Sequence, residues 1–189
     1  MKIFILSLVL TLSVISQSVY SQKPGDKKFK KEFLELINRT RQRGCNCGGT
    51  FMPPVPPLTW NDKLEKAAKG HAAEMAKKEF FSHVSKDGRT AMTRIEDAGY
   101  DHKGFRAFTV GENIAQGQPT IVSVMTGWFK SEPHCMNLMN PDFKEVGVWE
   151  DNTYWVQDFG GREEFSPEMQ RMIKSGKATI IPGKGSQRH

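Results

Sequence analysis

Three side chains stand in settings that suit chemistry: His83 in Phe80-Phe81-Ser82-His83, Glu112 in Gly111-Glu112-Asn113-Ile114, and His134 in Ser131-Glu132-Pro133-His134. Neutral imidazoles ligate zinc or copper, and a carboxylate beside them can orient one ring, accept its proton or hold a metal-bound water. His83 and His134 are therefore the candidate metal ligands, and His83, Glu112 and His134 the candidate catalytic groups. Two imidazoles with no further obvious carboxylate make an open site, weaker than a catalytic zinc site with three protein ligands. The same residues also read as a hydrogen-bonded network that organises a cleft without chemistry of its own. A Ser131–His134 nucleophile pair is the poorest reading, because Ser-x-x-His is short and no oxyanion loop accompanies it. The chain has no P-loop, no HExxH pair, no GxSxG elbow, no dinucleotide fingerprint and no internal repeat.

The remaining reactive side chains are Cys45, Cys47 and Cys135. The first two are too close to pair comfortably with each other, so Cys135 is expected to bond one of them. In the chain-entropy model such a loop of about 88 residues is worth roughly 4 to 5 kcal/mol. A Cys/His zinc site is the weaker rival, since structural zinc usually takes four ligands at C-x-x-C spacing. A disulfide presupposes export, and the first residues have the pattern for it. Lys2 precedes an aliphatic stretch from Ile3 to Ile15, and Val19-Tyr20-Ser21 places small residues for a cut before Gln22. Residues 1–21 thus read as a signal peptide and the mature protein as secreted or periplasmic. Ser7, Thr11, Ser13 and Ser16 interrupt the apolar stretch well short of the roughly 20 residues a spanning helix needs, and no membrane-spanning segment is expected.

The elements that must position these groups follow from periodicity. The chain has 189 residues, 38% hydrophobic and 25% charged, which suits one globular domain and excludes a disordered or collagen-like chain. After a polar leader at 22–28, Phe29, Phe33, Leu36 and Ile37 mark a helix to about Thr40. Gly44 to Pro57 breaks it. A second helix runs from Trp60 to about Phe80, capped by Asn61 or Thr59, with His71 read as a packed core histidine. A short helix over Ala91–Ala98, a strand over Phe105–Ala115 and a helix capped by Thr120 follow, the last stopped by Pro133. Val146–Trp149 and Thr153–Phe159 form a hairpin. Residues 161–189 read as a basic tail with one helix near Pro167–Ile173. The net charge of +6 is spread along the chain, which weakly favours anionic surfaces and gives no argument for nucleic acid.

Several ordered motifs between about Phe29 and Gly160 resemble the bacterial branch of the CAP superfamily of cysteine-rich secretory, antigen 5 and pathogenesis-related 1 proteins. They are Phe-Ser-His (81–83) followed by Asp87-Gly88 and Arg94, Ala98-Gly99-Tyr100, Gly111-Glu112-Asn113-Ile114-Ala115, and Trp-x-x-Ser-x-x-His (128–134). Asn137, Phe143, Val146-Gly147-Val148 and Tyr-Trp-Val-Gln-Asp-Phe (154–159) complete the set. The resemblance implies an α+β fold, a three-layer α-β-α sandwich with a central antiparallel sheet over residues 29–160. It also implies a cleft with His83, Glu112 and His134 at three positions of a two-His, two-Glu tetrad. Ser131 stands where the second Glu would be, and Glu132 would point elsewhere. The family's disulfide falls on Cys47 and Cys135, with Cys45 as the alternate.

Asn113 and Gln157 are expected as supporting hydrogen-bonders of the cleft, and Trp128, Phe143, Tyr154, Trp155 and Phe159 as core. The resulting expectation is an exported binding module for a small ligand, lipid, peptide or anionic cell-envelope polymer. No cofactor is required and zinc is optional. The alternative is a metal-assisted hydrolase or protease with Glu112 as general base.

Overall fold

The computed structural model describes residues 23–180; the signal peptide expected over 1–21 and the end of the tail beyond residue 180 lie outside them. Helix α1 (Lys27–Arg43) starts at Asp26, whose carboxylate accepts from the Phe29 amide at 2.7 Å, and stops at Gly44, which takes φ +74°. It takes in Lys27 and Lys28 of the expected leader and runs past Thr40. The Gly44–Pro57 segment is a tethered hairpin, β1 (Cys45–Cys47) pairing antiparallel with β2 (Thr50–Met52). Strand β3 (Thr59–Trp60) leads to α2 (Asp62–Lys78), capped by Asn61, which accepts from the Lys63 and Leu64 amides. Thr90 caps α3 (Ala91–Asp97), and β4 (Ala107–Gln116) follows.

Thr120 and Ser123 form a reciprocal cap on α4 (Ile121–Lys130). Sequence reasoning missed the next element, α5 (Glu132–Leu138). Pro133 does end α4, but it also sits in the first turn of a new helix, where its missing N–H leaves no bond unmade. Strands β5 (Glu145–Asp151) and β6 (Tyr154–Glu163) form the expected hairpin, turned through Asn152 and Thr153 at positive φ. β6 continues through Gly160 and Gly161, where the sequence suggested the domain ended. Both glycines are ladder residues: a β-carbon at 160 would strike the Tyr100 ring, and one at 161 the Asp142 carbonyl. Helix α6 (Pro167–Lys174) forms as expected, with no buried residue.

The sheet runs β3-β5-β6-β4, antiparallel except for the short parallel pair β3–β5. Strand alternation sorts side chains to two helical layers. On one face Ala68, Ala72 and Met75 of α2 pack against Ile114, Tyr154 and Val156. On the other, Phe29, Phe33 and Ile37 of α1, with Trp128 of α4, pack against Val146, Val148, Trp155 and Phe159. Gly147 has no room for a side chain because the backbone of Leu64 and Glu65 lies directly on it. This is the expected α-β-α sandwich, and Trp128, Phe143, Tyr154, Trp155 and Phe159 are all buried.

Candidate functional site

The β4–β6 register sets Glu112 opposite Asp158 and Asn113 opposite Gln157, so the two pairs point to opposite faces of the sheet at its β4 edge. On the α2 face, both Glu112 oxygens are engaged. Oε1 accepts from His83 Nδ1 at 2.8 Å and Oε2 from an Arg94 guanidinium nitrogen at 2.5 Å. A carboxylate here can only accept, so the His83 proton sits on Nδ1 and Nε2 faces away from Glu112. The His83 side chain is 55% exposed while that of Glu112 is 2% exposed, which places an outward imidazole on an inward anchor. Burial pushes the Glu112 carboxyl up, but the His83 hydrogen bond and the Arg94 charge outweigh it and hold it below the ordinary value.

Arg94 holds more than a charge. Its other terminal nitrogen donates to the carbonyls of His83 and Arg89 and to Ser85 Oγ, at 3.0, 3.0 and 3.3 Å. His71, expected as core, is indeed fully buried, and its Nε2–H donates to the Ser82 carbonyl at 2.8 Å. That leaves Nδ1 to accept from Ser85 Oγ at 3.4 Å. The segment carrying His83 is thus pinned at Ser82, His83 and Ser85 by two buried side chains from two helices. Burial holds the His71 pKa below its ordinary value. Asp158 is fully buried beside Glu112. Burial, then the neighbouring Glu112 charge, drives its carboxyl well above the ordinary value. The roles of Arg94, Ser85 and Asp158 were missed; only a known register makes Asp158 the neighbour of Glu112.

On the opposite face, Asn113 donates to the His134 carbonyl at 3.3 Å and to Gln157 Oε1 at 3.1 Å, and accepts from Asn137 Nδ2 at 3.0 Å. Asn113 and Gln157, the expected supporting hydrogen-bonders, are fully buried and seat α5 on the sheet. His134 is half-buried; burial, then the charge of nearby His83, lowers its pKa. Ser131 is the joint between α4 and α5 and makes no side-chain cap bond, nor any hydrogen bond to His134. The Glu132 carboxylate lies instead over Gly48.

The donor set suits a metal only in part. His83 Nε2, oriented from behind by a carboxylate, and His134, held neutral, suit a cation. Both Glu112 oxygens already accept a hydrogen bond, from His83 and from Arg94. Among the described residues, the trio of metal-capable atoms all within 4.8 Å of one another is that of Cys45, Cys47 and Cys135. Two imidazoles fall short of the three protein ligands of a catalytic zinc site. Cys47 and Cys135 are joined in a disulfide with Cα atoms 5.4 Å apart, leaving Cys45 free.

Comparison with known proteins places the fold in a family. The family model described as "CAP: Cysteine-rich secretory protein family" matches residues 34–159. The uncharacterized protein YkwD of Bacillus subtilis is 32% identical over 136 residues, covering 71% of this chain and 48% of that protein, so the chain spans about half the length of this curated relative. An extracellular protein of Bacillus anthracis containing an SCP domain superposes with TM-score 0.55 at 27% identity, over 73% of this chain and 44% of that one. An outer surface protein of Borrelia burgdorferi does so with TM-score 0.54 at 25% identity, over 72% and 92%. The chain belongs to the cysteine-rich secretory protein (CAP) family.

Proposed function

We propose that this CAP domain is exported and works as a binding module, its cleft receiving a small ligand, lipid, peptide or cell-envelope component against His83, His134 and Ser131. The state of Glu112 carries this reading. With both oxygens engaged by His83 and Arg94 and its pKa held down, it is a fixed anchor and a poor general base, which needs a pKa near the working pH. Export is supported by the disulfide and by relatives described as extracellular or outer-surface proteins. No described helix is long and apolar enough to cross a membrane. The exposed lysines at 27, 28 and 31 on α1 suit contact with an anionic envelope polymer. A divalent cation such as zinc would be held by His83 Nε2 and His134 alone, weakly and exchangeably.

The test is saturation binding of a panel of lipids, peptides and envelope polymers, run with and without zinc on chelator-stripped protein. The expected result is saturable binding without turnover, weakened about tenfold or more by His83→Ala and by His134→Ala. Turnover of a peptide or ester that disappears in Glu112→Gln would overturn this reading in favour of the hydrolase.

A further inference from the structure

The three cysteines form a cluster that neither the fold nor the cleft requires in full. Cys47 and Cys135 are fully buried in their disulfide. The Cys45 sulfur lies 3.7 Å from Cys135 Sγ and 4.0 Å from Cys47 Sγ, beside the bond and nearly equidistant from its two ends. Strand geometry explains the crowding: Cys45 and Cys47 are two apart on β1, so both side chains leave the same face of the strand toward α5. Of the three, Cys45 alone is partly exposed. It lines a cavity of about 390 Å³ between α1 and α4, walled by Leu36, Met125 and Phe129.

We propose that Cys45 is a resident exchange partner of this disulfide, so that α5 is tethered through Cys135 by either of two interchangeable bonds. In the exchange step the Cys45 side chain swings from beside the bond into line with it, and its thiolate attacks Cys135 Sγ. The Cys45–Cys135 bond forms as the Cys47–Cys135 bond breaks, and the electron pair leaves on Cys47 Sγ, which takes up the proton that Cys45 gave up. The step is redox-neutral and needs no outside oxidant. Chain entropy does not choose between the products, because the pairings span 88 and 90 residues. Local packing therefore decides, and burial, which raises the Cys45 pKa, keeps the thiol protonated and the exchange slow at neutral pH. Because Cys135 directly follows His134 on α5, a change of tether acts next to a cleft residue.

The experiment is a disulfide peptide map of the oxidised wild-type protein. The protein is held folded at about pH 8.5, where an ordinary thiol is half ionised, then acid-quenched, unfolded and alkylated. The expected result is both Cys47–Cys135 and Cys45–Cys135 peptides from the wild type, in a ratio set by local packing. The alkyl label should split between Cys45 and Cys47 accordingly. The Cys45→Ala variant, with no alternative partner, supplies the reference Cys47–Cys135 peptide, and a wild-type sample unfolded in acid with an acid-active thiol-blocking maleimide already present shows whether the second peptide precedes the workup. A single Cys47–Cys135 bond in the wild type, with label on Cys45 only, overturns the proposal.

Discussion

Among the described residues two arginines are buried, and the cost of each is met in opposite ways. Arg41 of α1 meets only carbonyls: Nε donates to Pro56 O at 2.8 Å, and the terminal nitrogens donate to Leu138, Asn140 and Phe143 O at 2.7, 3.1 and 3.2 Å. It clamps the β2–β3 connection and the end of α5, and burial lowers its pKa to about 10, so it stays charged at neutrality. Arg94 of α3 meets carbonyls and also the Glu112 carboxylate, with Asp158 behind it. The first is an architectural cation, indifferent to ordinary pH changes. The second belongs to a buried ionic cluster that supports an exposed histidine, and its energetics are tied to protons.

The largest effect should come from Arg94→Met, which strands a buried carboxylate at a cost of about 3 to 5 kcal/mol. Glu112 has a folded pKa below its unfolded value, so the stability it contributes is present above about pH 4.3 and lost as pH falls through the folded pKa. Denaturant melts from neutral to acid pH should therefore show the Arg94→Met deficit shrinking on acidification. Arg41→Met should cost less, about 2 to 3 kcal/mol for carbonyls left without donors, and its deficit should stay flat over the same range. Parallel pH profiles for the two variants would erase the distinction drawn here.

Asp158→Asn comes next and should stabilise the protein at neutral pH by roughly 1 kcal/mol, because it replaces an acid whose carboxyl burial drives well above its ordinary value. Asp158 has a folded pKa above its unfolded value of about 3.9, so the wild-type penalty grows as pH climbs past that point and the gain of the variant should vanish in acid. A variant less stable than wild type at pH 7 would mean the carboxylate is ionised and satisfied. Ser131→Ala should have the smallest effect, within about 0.5 kcal/mol, since its hydroxyl makes no cap bond. A larger loss in a thermal melt would give that hydroxyl a structural role.

His83 and Glu112 stood out in short local motifs; that Cys135 would bond Cys45 or Cys47 was legible from the cysteine count, while the choice of Cys47 came from the family resemblance, and the helices were legible because their apolar spacing is regular. Pro133 misled because a proline marks a helix start as readily as a stop, and β3 is too short to leave a periodic signal. The support beneath the cleft was harder to see. His71 looked like core and is core, but its partner is a carbonyl in the following loop, and Arg94 reaches Glu112 from another element. Asp158 could be placed beside Glu112 only through the β4–β6 register, a long-range pairing that composition and periodicity do not encode.

Gly147 gives the sheet a form of error rejection during folding. Because α2 rests on the backbone at that position, a one-residue slip of β5 would thrust Val146 or Val148 beneath the helix, and a two-residue slip would thrust Glu145 or Trp149 there. A hairpin slipped by one or two residues would meet α2 with a side chain where the native pairing, Gly147 opposite Asp158, presents none.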